Sequence, residues 1–464
     1  MATIAVIGAG AAGLSAATGL RRSGHDVVVL EAADRAGGVI RSERRDGVLA
    51  DFGPNSMLSP PPAMQQVLDE LGISGTRLAA NAAARRRYIV RDGVPRAVPA
   101  TPMEFIGTPL LSAAAKSRLV FEPLQPQRVS AAEESLASLV RRRFGQEFVD
   151  YVLDPIVAGI YAGDPQRLSS SHALPVLATL EARHRSVLRG AMQAARDQRL
   201  VKGAQEGTMF SFANGMQSMT DAMADGLDRA LQLSTTVTGL QPRADGWDVL
   251  TARGENRRSW RVDAVVCTAP AHALPGIAFG GALPDAWARL ATITYHPVAV
   301  VVMSFRREQV AHALDGFGVL VPAREGGQTL GTLFSSTLFP GRAPAGQVAL
   351  TTFTGGARHP ALALAPAAEI QRAVLDDLQR LLGVRGTPLA VVQHSWRKAI
   401  PQYEIGYAAR LADMDQLEQA NAGLFLAGSY RNGVAVGEVM TSGYLAAQAA
   451  SRFVADAHAR VAVG

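Results

Sequence analysis

The chain has 464 residues, enough for two or three domains with ample core. Its single cysteine, Cys267, excludes internal disulfides, its nine histidines lack metal-ligand spacing, and no run of about 18 apolar residues could span a bilayer. The net charge of +6 is carried by arginine, because Lys116, Lys202 and Lys398 are the only lysines, and no nucleic-acid module accompanies it. Such cysteine usage fits a reducing compartment, so a cytoplasmic protein is expected. A basic face would still attract anionic lipid, which leaves room for a peripheral position on the inner face of the plasma membrane.

Residues 3–7 form a short apolar strand that runs into the turn Gly8-Ala9-Gly10-Ala11-Ala12-Gly13. The pattern predicts a helix over 14–22 and a second strand over 26–30, ending on Glu31. This is the start of a dinucleotide-binding βαβ unit. Gly8 permits the tight turn, Gly10 lets backbone approach a pyrophosphate, and Gly13 lets the helix pack on the strand. The helix N-terminus offers free N–H groups to phosphate, and Glu31 can accept from a ribose. A signal peptide would need a basic leading region that residues 1–3 lack, and no targeting extension is expected ahead of the strand.

Next come Arg35-Ala36-Gly37-Gly38-Val39-Ile40-Arg41 and the rigid turn Gly53-Pro54-Asn55. Residues 85–205 read as a helical insert, with helices over 135–148 and 177–198 but no strongly apolar helix face. Strands are expected over 231–240, 247–250 and 264–267. Further β-type runs at 298–305, 317–321, 330–335 and 348–353 suggest a separate sheet, followed by an amphipathic helix over 367–382. A buried strand over 424–428, a glycine-rich turn and a final helix from about 441 close the chain. The expected class is α/β. A Rossmann-like cofactor domain is built from 1–80, 207–270 and 420–464, a helical insert from 85–205, and a mixed-sheet substrate domain from 271–419.

Three glycine-rich segments in this order favour FAD over a nicotinamide cofactor. More specific stretches lie between them: Arg87-Tyr88-Ile89-Val90, Gly159-Ile160-Tyr161-Ala162-Gly163, Asn214-Gly215-Met216-Gln217, Phe317-Gly318-Val319-Leu320, Phe339-Pro340-Gly341-Arg342 and Ala399-Ile400-Pro401-Gln402-Tyr403. Together they cover nearly the whole chain. They resemble the flavin amine oxidase and protoporphyrinogen oxidase superfamily, and within it the oxygen-dependent protoporphyrinogen IX oxidases. The departures are small: Asn214 stands where many relatives have glycine, and Ile160 where valine is frequent.

The resemblance implies non-covalent FAD held around Gly8, Gly10, Ala12, Gly13, Glu31, Arg35, Gly38, Arg41, Gly53, Pro54, Asn55, Val237, Trp396, Val436, Ser442 and Gly443. Trp396 reads equally well as core. It also implies a substrate site in which Arg87 pairs with a propionate, Leu320, Leu333 and Phe353 wall the macrocycle, and Gly159 lets backbone approach the ring. By its sequence alone, Arg87 reads first as one of a solvated Arg85-Arg86-Arg87 run.

The implied reaction takes hydride from a bridging methylene of protoporphyrinogen IX to flavin N5. It repeats over three two-electron cycles, with oxygen as oxidant and hydrogen peroxide as by-product. No side chain stands out as a base and no metal is called for. Coproporphyrinogen III is an alternative substrate. An amine oxidase, a carotenoid desaturase and a non-enzymatic carrier are alternatives on the same scaffold. The expected partners are a porphyrinogen, oxygen and a membrane surface, with no nucleic acid, for a monomer or homodimer.

Overall fold

Five short parallel strands form the centre of the nucleotide-binding part, in the order Leu424–Leu426, Ala264–Cys267, Thr3–Ile7, Asp26–Leu30, Leu231–Gln232. The structure, a computed structural model, describes residues 1–58, 62–128, 132–200 and 209–463. Successive side chains of a strand point to opposite faces. Ile4, Val6, Val27 and Val29 therefore share a core with Leu14 and Leu20 of the helix Ala11–Arg22 and with Ala447 and Ala450 of the helix Val436–Val463. Ala5, Ile7, Val28 and Val265 turn the other way, into a core that includes Trp247 and Tyr430. This sheet is contributed by both ends of the chain and its middle, and the class is α/β.

A four-stranded sheet follows Leu231–Gln232. Thr236–Arg243, Gly246–Arg253 and Asn256–Val262 run antiparallel, with Ala278–Phe279 parallel to the first of them. A mixed seven-stranded sheet carries the substrate side. Its order is Ala390–Pro401, Tyr295–Arg306, Gln347–Gly355, Thr329–Leu333, Gly316–Leu320, Arg86–Arg91, Val94–Ala97. One face, through Tyr88, Val301, Met303 and Val319, packs on Ile370, Val374 and Leu378 of the helix Ala367–Leu382. The opposite face meets Phe52, Ala158 and Ala162.

The structure differs from the sequence reading at several elements. Residues 86–97 are two strands of the large sheet, not the start of a helical insert, because Arg86–Arg91 pairs in parallel with Gly316–Leu320. The helix expected over 177–198 is two helices, Pro175–His184 and Val187–Leu200, broken where Arg185 takes a left-handed conformation at φ 59°. The strand expected over 231–240 splits in the same way, at Ser234 with φ 53°. The last helix begins at Val436, ahead of the expected 441. The strand Ala390–Pro401 was not anticipated, since Arg397 and Lys398 give it a loop-like composition, yet it pairs along Tyr295–Arg306. Residues 201–205 of the expected insert, with 207 and 208, lie outside the described residues.

No helix among the described residues is long and apolar enough to cross a membrane. The insert does expose apolar side chains. Met103 and Ile106 lie on the helix Pro102–Gly107, Val120 on Ala113–Val120, and Phe121 and Leu124 just after it, each more than half exposed.

Candidate active site

Backbone packing builds the nucleotide end. Gly8 sits at φ +94°, and a Cβ on Gly13 would lie 1.9 Å from the Gly8 carbonyl oxygen, so the helix meets the strand only as glycine. Gly10 is the opposite case: nothing lies within 4 Å of where its Cβ would be. The loop after Glu31 forms the second wall, with Gly37 N–H donating to the Ala9 carbonyl at 2.8 Å and Gly38 close to the Gly10 Cα. Arg35 stiffens that loop by donating to the carbonyls of Ala36, Gly38 and Ile40. Burial, and then the nearby Arg41 cation, pull its guanidinium below its ordinary value.

The Glu31 carboxylate accepts from Ala9 N–H at 2.6 Å and from Ala33 N–H at 2.8 Å. It thus points into the turn where a ribose hydroxyl would compete for it. Thr235 N–H donates to the Glu31 carbonyl at 2.7 Å, which brings the neighbouring strand, and Val237 within it, to the same end. On the far side, a Cβ on Gly443 would lie 2.0 Å from the Ala12 carbonyl oxygen. The two helices cross there, and Gly443 serves that crossing. Ser442 accepts from Gly428 N–H at 3.1 Å and donates to Asn432 Oδ1 at 2.8 Å. Val436 and Gly437 open the long helix, with free space beside the Gly437 Cα. An open Gly10, a left-handed Gly37-Gly38 wall and an exposed helix start make a cradle that fits a dinucleotide pyrophosphate.

Phe52 links this cradle to the large sheet. The Arg41 guanidinium lies 5.9 Å from the Phe52 ring centre, and Trp396 Nε1 donates to the Phe52 carbonyl at 2.7 Å. A Cβ on Gly53 would lie 2.2 Å from the Val39 carbonyl oxygen, and Asn55 donates to the Gly53 carbonyl at 3.0 Å, which fixes the turn through Pro54. Burial pushes the Asp51 carboxyl above its ordinary value, against Arg342 at 3.0 Å and hydrogen bonds from Ser42 and Met216. The buried Asp51–Arg342 pair ties the hairpin Ser42–Arg45/Val48–Asp51 to the connection between Thr329–Leu333 and Gln347–Gly355 of the large sheet. The stretch through Arg342 stands out in the sequence, but its pairing with Asp51 does not.

The substrate-side residues share one face of the large sheet. Arg87 is opposite Gly318, which is opposite Leu333; one step along, Leu320 is opposite Gly331, which is opposite Phe353. A two-residue step keeps the same face. Leu320, Leu333 and Phe353 are half-buried, and a Cβ on Gly159 would touch Leu320 Cδ2 at 3.2 Å. Phe353 and Trp396 pack on the cluster that contains Phe52, so this face abuts the turn Gly53-Pro54-Asn55. The arginine run divides: Arg86 pairs with Asp315 at 2.7 Å, whereas Arg87 holds no carboxylate among the described residues and lies 5.5 Å from the Phe317 ring centre. Cys267 is fully buried in its strand, and burial pushes its thiol up to about 12, so it is inert.

The family model of flavin-containing amine oxidoreductases matches residues 11–451. Protoporphyrinogen oxidase 2 of Arabidopsis thaliana, chloroplastic/mitochondrial, is 37% identical over 96% of this chain and 92% of its own length. The chain belongs to the protoporphyrinogen oxidase family. A more distant relative, the coproporphyrinogen III oxidase of Bacillus subtilis, is 25% identical over 95% of this chain and 96% of its own. A crystal structure from Exiguobacterium sp. 255-15 matches the fold with a TM-score of 0.80 at 23% identity, covering 97% of this chain and 98% of that one. The family whose model matches is one of flavin-containing oxidoreductases, which implies FAD as the cofactor.

Proposed function

We propose that this chain oxidises protoporphyrinogen IX to protoporphyrin IX in heme biosynthesis, with non-covalent FAD and molecular oxygen. The observation that carries this is the shared face: an uncommitted guanidinium at its rim, three half-buried apolar side chains beside it, and the flavin-side turn at its inner end. Residues Gly8 to Gly13, Glu31, Gly38, Gly53 to Asn55, Val436 and Ser442 would hold the cofactor. The chemistry a bound FAD supplies is hydride acceptance from a bridging methylene and delivery of the electron pair to oxygen, giving hydrogen peroxide. Arg87 pairs with a propionate and fixes the disc's orientation. Leu320, Leu333 and Phe353 exclude water from its faces. Three passes remove six hydrogens in all.

Coproporphyrinogen carries two further propionates and needs more free cations. The commitment of Arg86 to Asp315 speaks against it. The test is an anaerobic mixture of yellow holoprotein with each porphyrinogen, then admission of air. Red porphyrin fluorescence and oxygen uptake, faster with protoporphyrinogen, are expected; no oxygen uptake with either refutes the proposal. The exposed Met103, Ile106, Val120, Phe121 and Leu124 support contact with a membrane surface. Co-sedimentation with anionic vesicles, lost on Ile106→Asp, reads that contact.

A further inference from the structure

The turn that leads into the long helix is held from outside by one phenol. Tyr403 Oη donates to the Ser429 carbonyl at 2.5 Å and accepts from Gly433 N–H at 2.9 Å. A single hydroxyl therefore bridges the two sides of residues 429–433. Gly428 and Gly433 both sit at positive φ, 134° and 120°, so the turn has a shape that few backbones keep without restraint. Ser442 fixes Gly428 and Asn432 from the helix itself. Three residues after Gly433, Val436 begins the helix that meets Ala12 of the cradle through Gly443; its first turn has open space beside Gly437, and its Glu438 carboxylate accepts from Ala435 N–H at 3.1 Å.

The phenol is itself over-determined. Its ring stacks on Tyr407 at 4.4 Å and lies 6.0 Å from Tyr161, and its own carbonyl accepts from Ser169 N–H at 2.8 Å. It is only 4% exposed. Tyr407 adds a parallel hold, donating to the Tyr430 carbonyl at 2.5 Å. Burial raises the pKa of Tyr403 well above that of a free phenol, so the hydroxyl keeps its proton and stays a donor at any working pH.

We infer that Tyr403 is a positioning residue for the flavin, setting the start of the helix Val436–Val463 against the ring system through the 429–433 turn. The inference rests on the flavin reading above. A helix N-terminus favours negative charge, so its placement bears more on reduced than on oxidised flavin. Loss of the hydroxyl leaves Ser429 C=O and Gly433 N–H without their partner and lets the turn relax.

The test compares Tyr403→Phe with Tyr161→Phe in the holoenzyme. Both keep the ring, and both delete one buried hydroxyl; that of Tyr161 donates to the Ala173 carbonyl at 2.9 Å, away from the turn. Tyr403→Phe should bind oxidised FAD several-fold more weakly and discriminate tenfold less in favour of the reduced form. That lowers the two-electron midpoint potential by about 30 mV and alters the flavin absorption bands. Both variants should lower the melting temperature by a similar amount, but Tyr161→Phe should leave potential and spectrum unchanged. Tyr403→Phe with wild-type potential and spectrum overturns the positioning role alone. A wild-type protein that retains no flavin overturns the reading on which it rests.

Discussion

Around Gly13 the fold has no room for one more carbon, whereas around Leu320 it leaves large side chains partly exposed. The two ends of the site are thus specified by different means. The nucleotide end is made of main chain pressed on main chain: Gly13 on the Gly8 carbonyl, Gly443 on the Ala12 carbonyl, Gly53 on the Val39 carbonyl. The substrate end is made of side chains standing on a sheet face whose reverse is fully packed. Substitutions at the first should act on cofactor retention and folding together. Those at the second should act on substrate and leave the flavin in place.

The largest expected effect falls on the link between the ends. Arg342→Met leaves the Asp51 carboxylate buried without its partner and should cost about 3–5 kcal/mol in denaturant unfolding. A loss below about 1 kcal/mol would show that the ends are not coupled there. Next, Arg87→Ala should weaken substrate binding by about 2–4 kcal/mol, read as a raised KM at normal flavin content; an unchanged KM breaks the assignment of the rim. Third, Gly13→Ala should cost about 1–3 kcal/mol and release flavin on gel filtration, while Leu333→Ala keeps it. Flavin lost equally from both would erase the contrast.

The smallest effect concerns pH. The Tyr88 hydroxyl, and beyond it Arg86, hold the Asp315 carboxyl below its ordinary value of 3.8. A depressed carboxylate adds stability above that value and loses it as pH falls through the folded one. At this half-exposed position the contribution should stay under about 1 kcal/mol. The melting-temperature gap between wild type and Asp315→Asn should therefore shrink below about pH 4. A gap independent of pH means that the ion pair near the substrate rim contributes nothing.

The same contrast explains what could be read before the structure. Gly8, Gly10, Gly13 and Glu31 form a local pattern, with spacing fixed by one turn and one helix, and the structure places them together. The substrate face was legible only through family resemblance, since Arg87, Leu320, Leu333 and Phe353 meet through sheet register. The strands at 86–97 and 390–401 were hidden because charged residues on their exposed positions mask the alternation. The contacts of Asp51 with Arg342 and of Tyr403 with the 429–433 turn join remote segments, and no local signal marks them.

The order of the parallel sheet also constrains how the protein is made. Its central strand, Thr3–Ile7, leaves the ribosome first, but its neighbour Ala264–Cys267 and the edge strand Leu424–Leu426 follow hundreds of residues later. The helix that crosses Ala12 arrives later still. At about 5–20 residues per second, the nascent chain waits tens of seconds with half of its cofactor cradle missing. Without the helix from Val436 the cradle lacks the Gly443 contact on Ala12, and a message cut short ahead of Val436 should yield a colourless product.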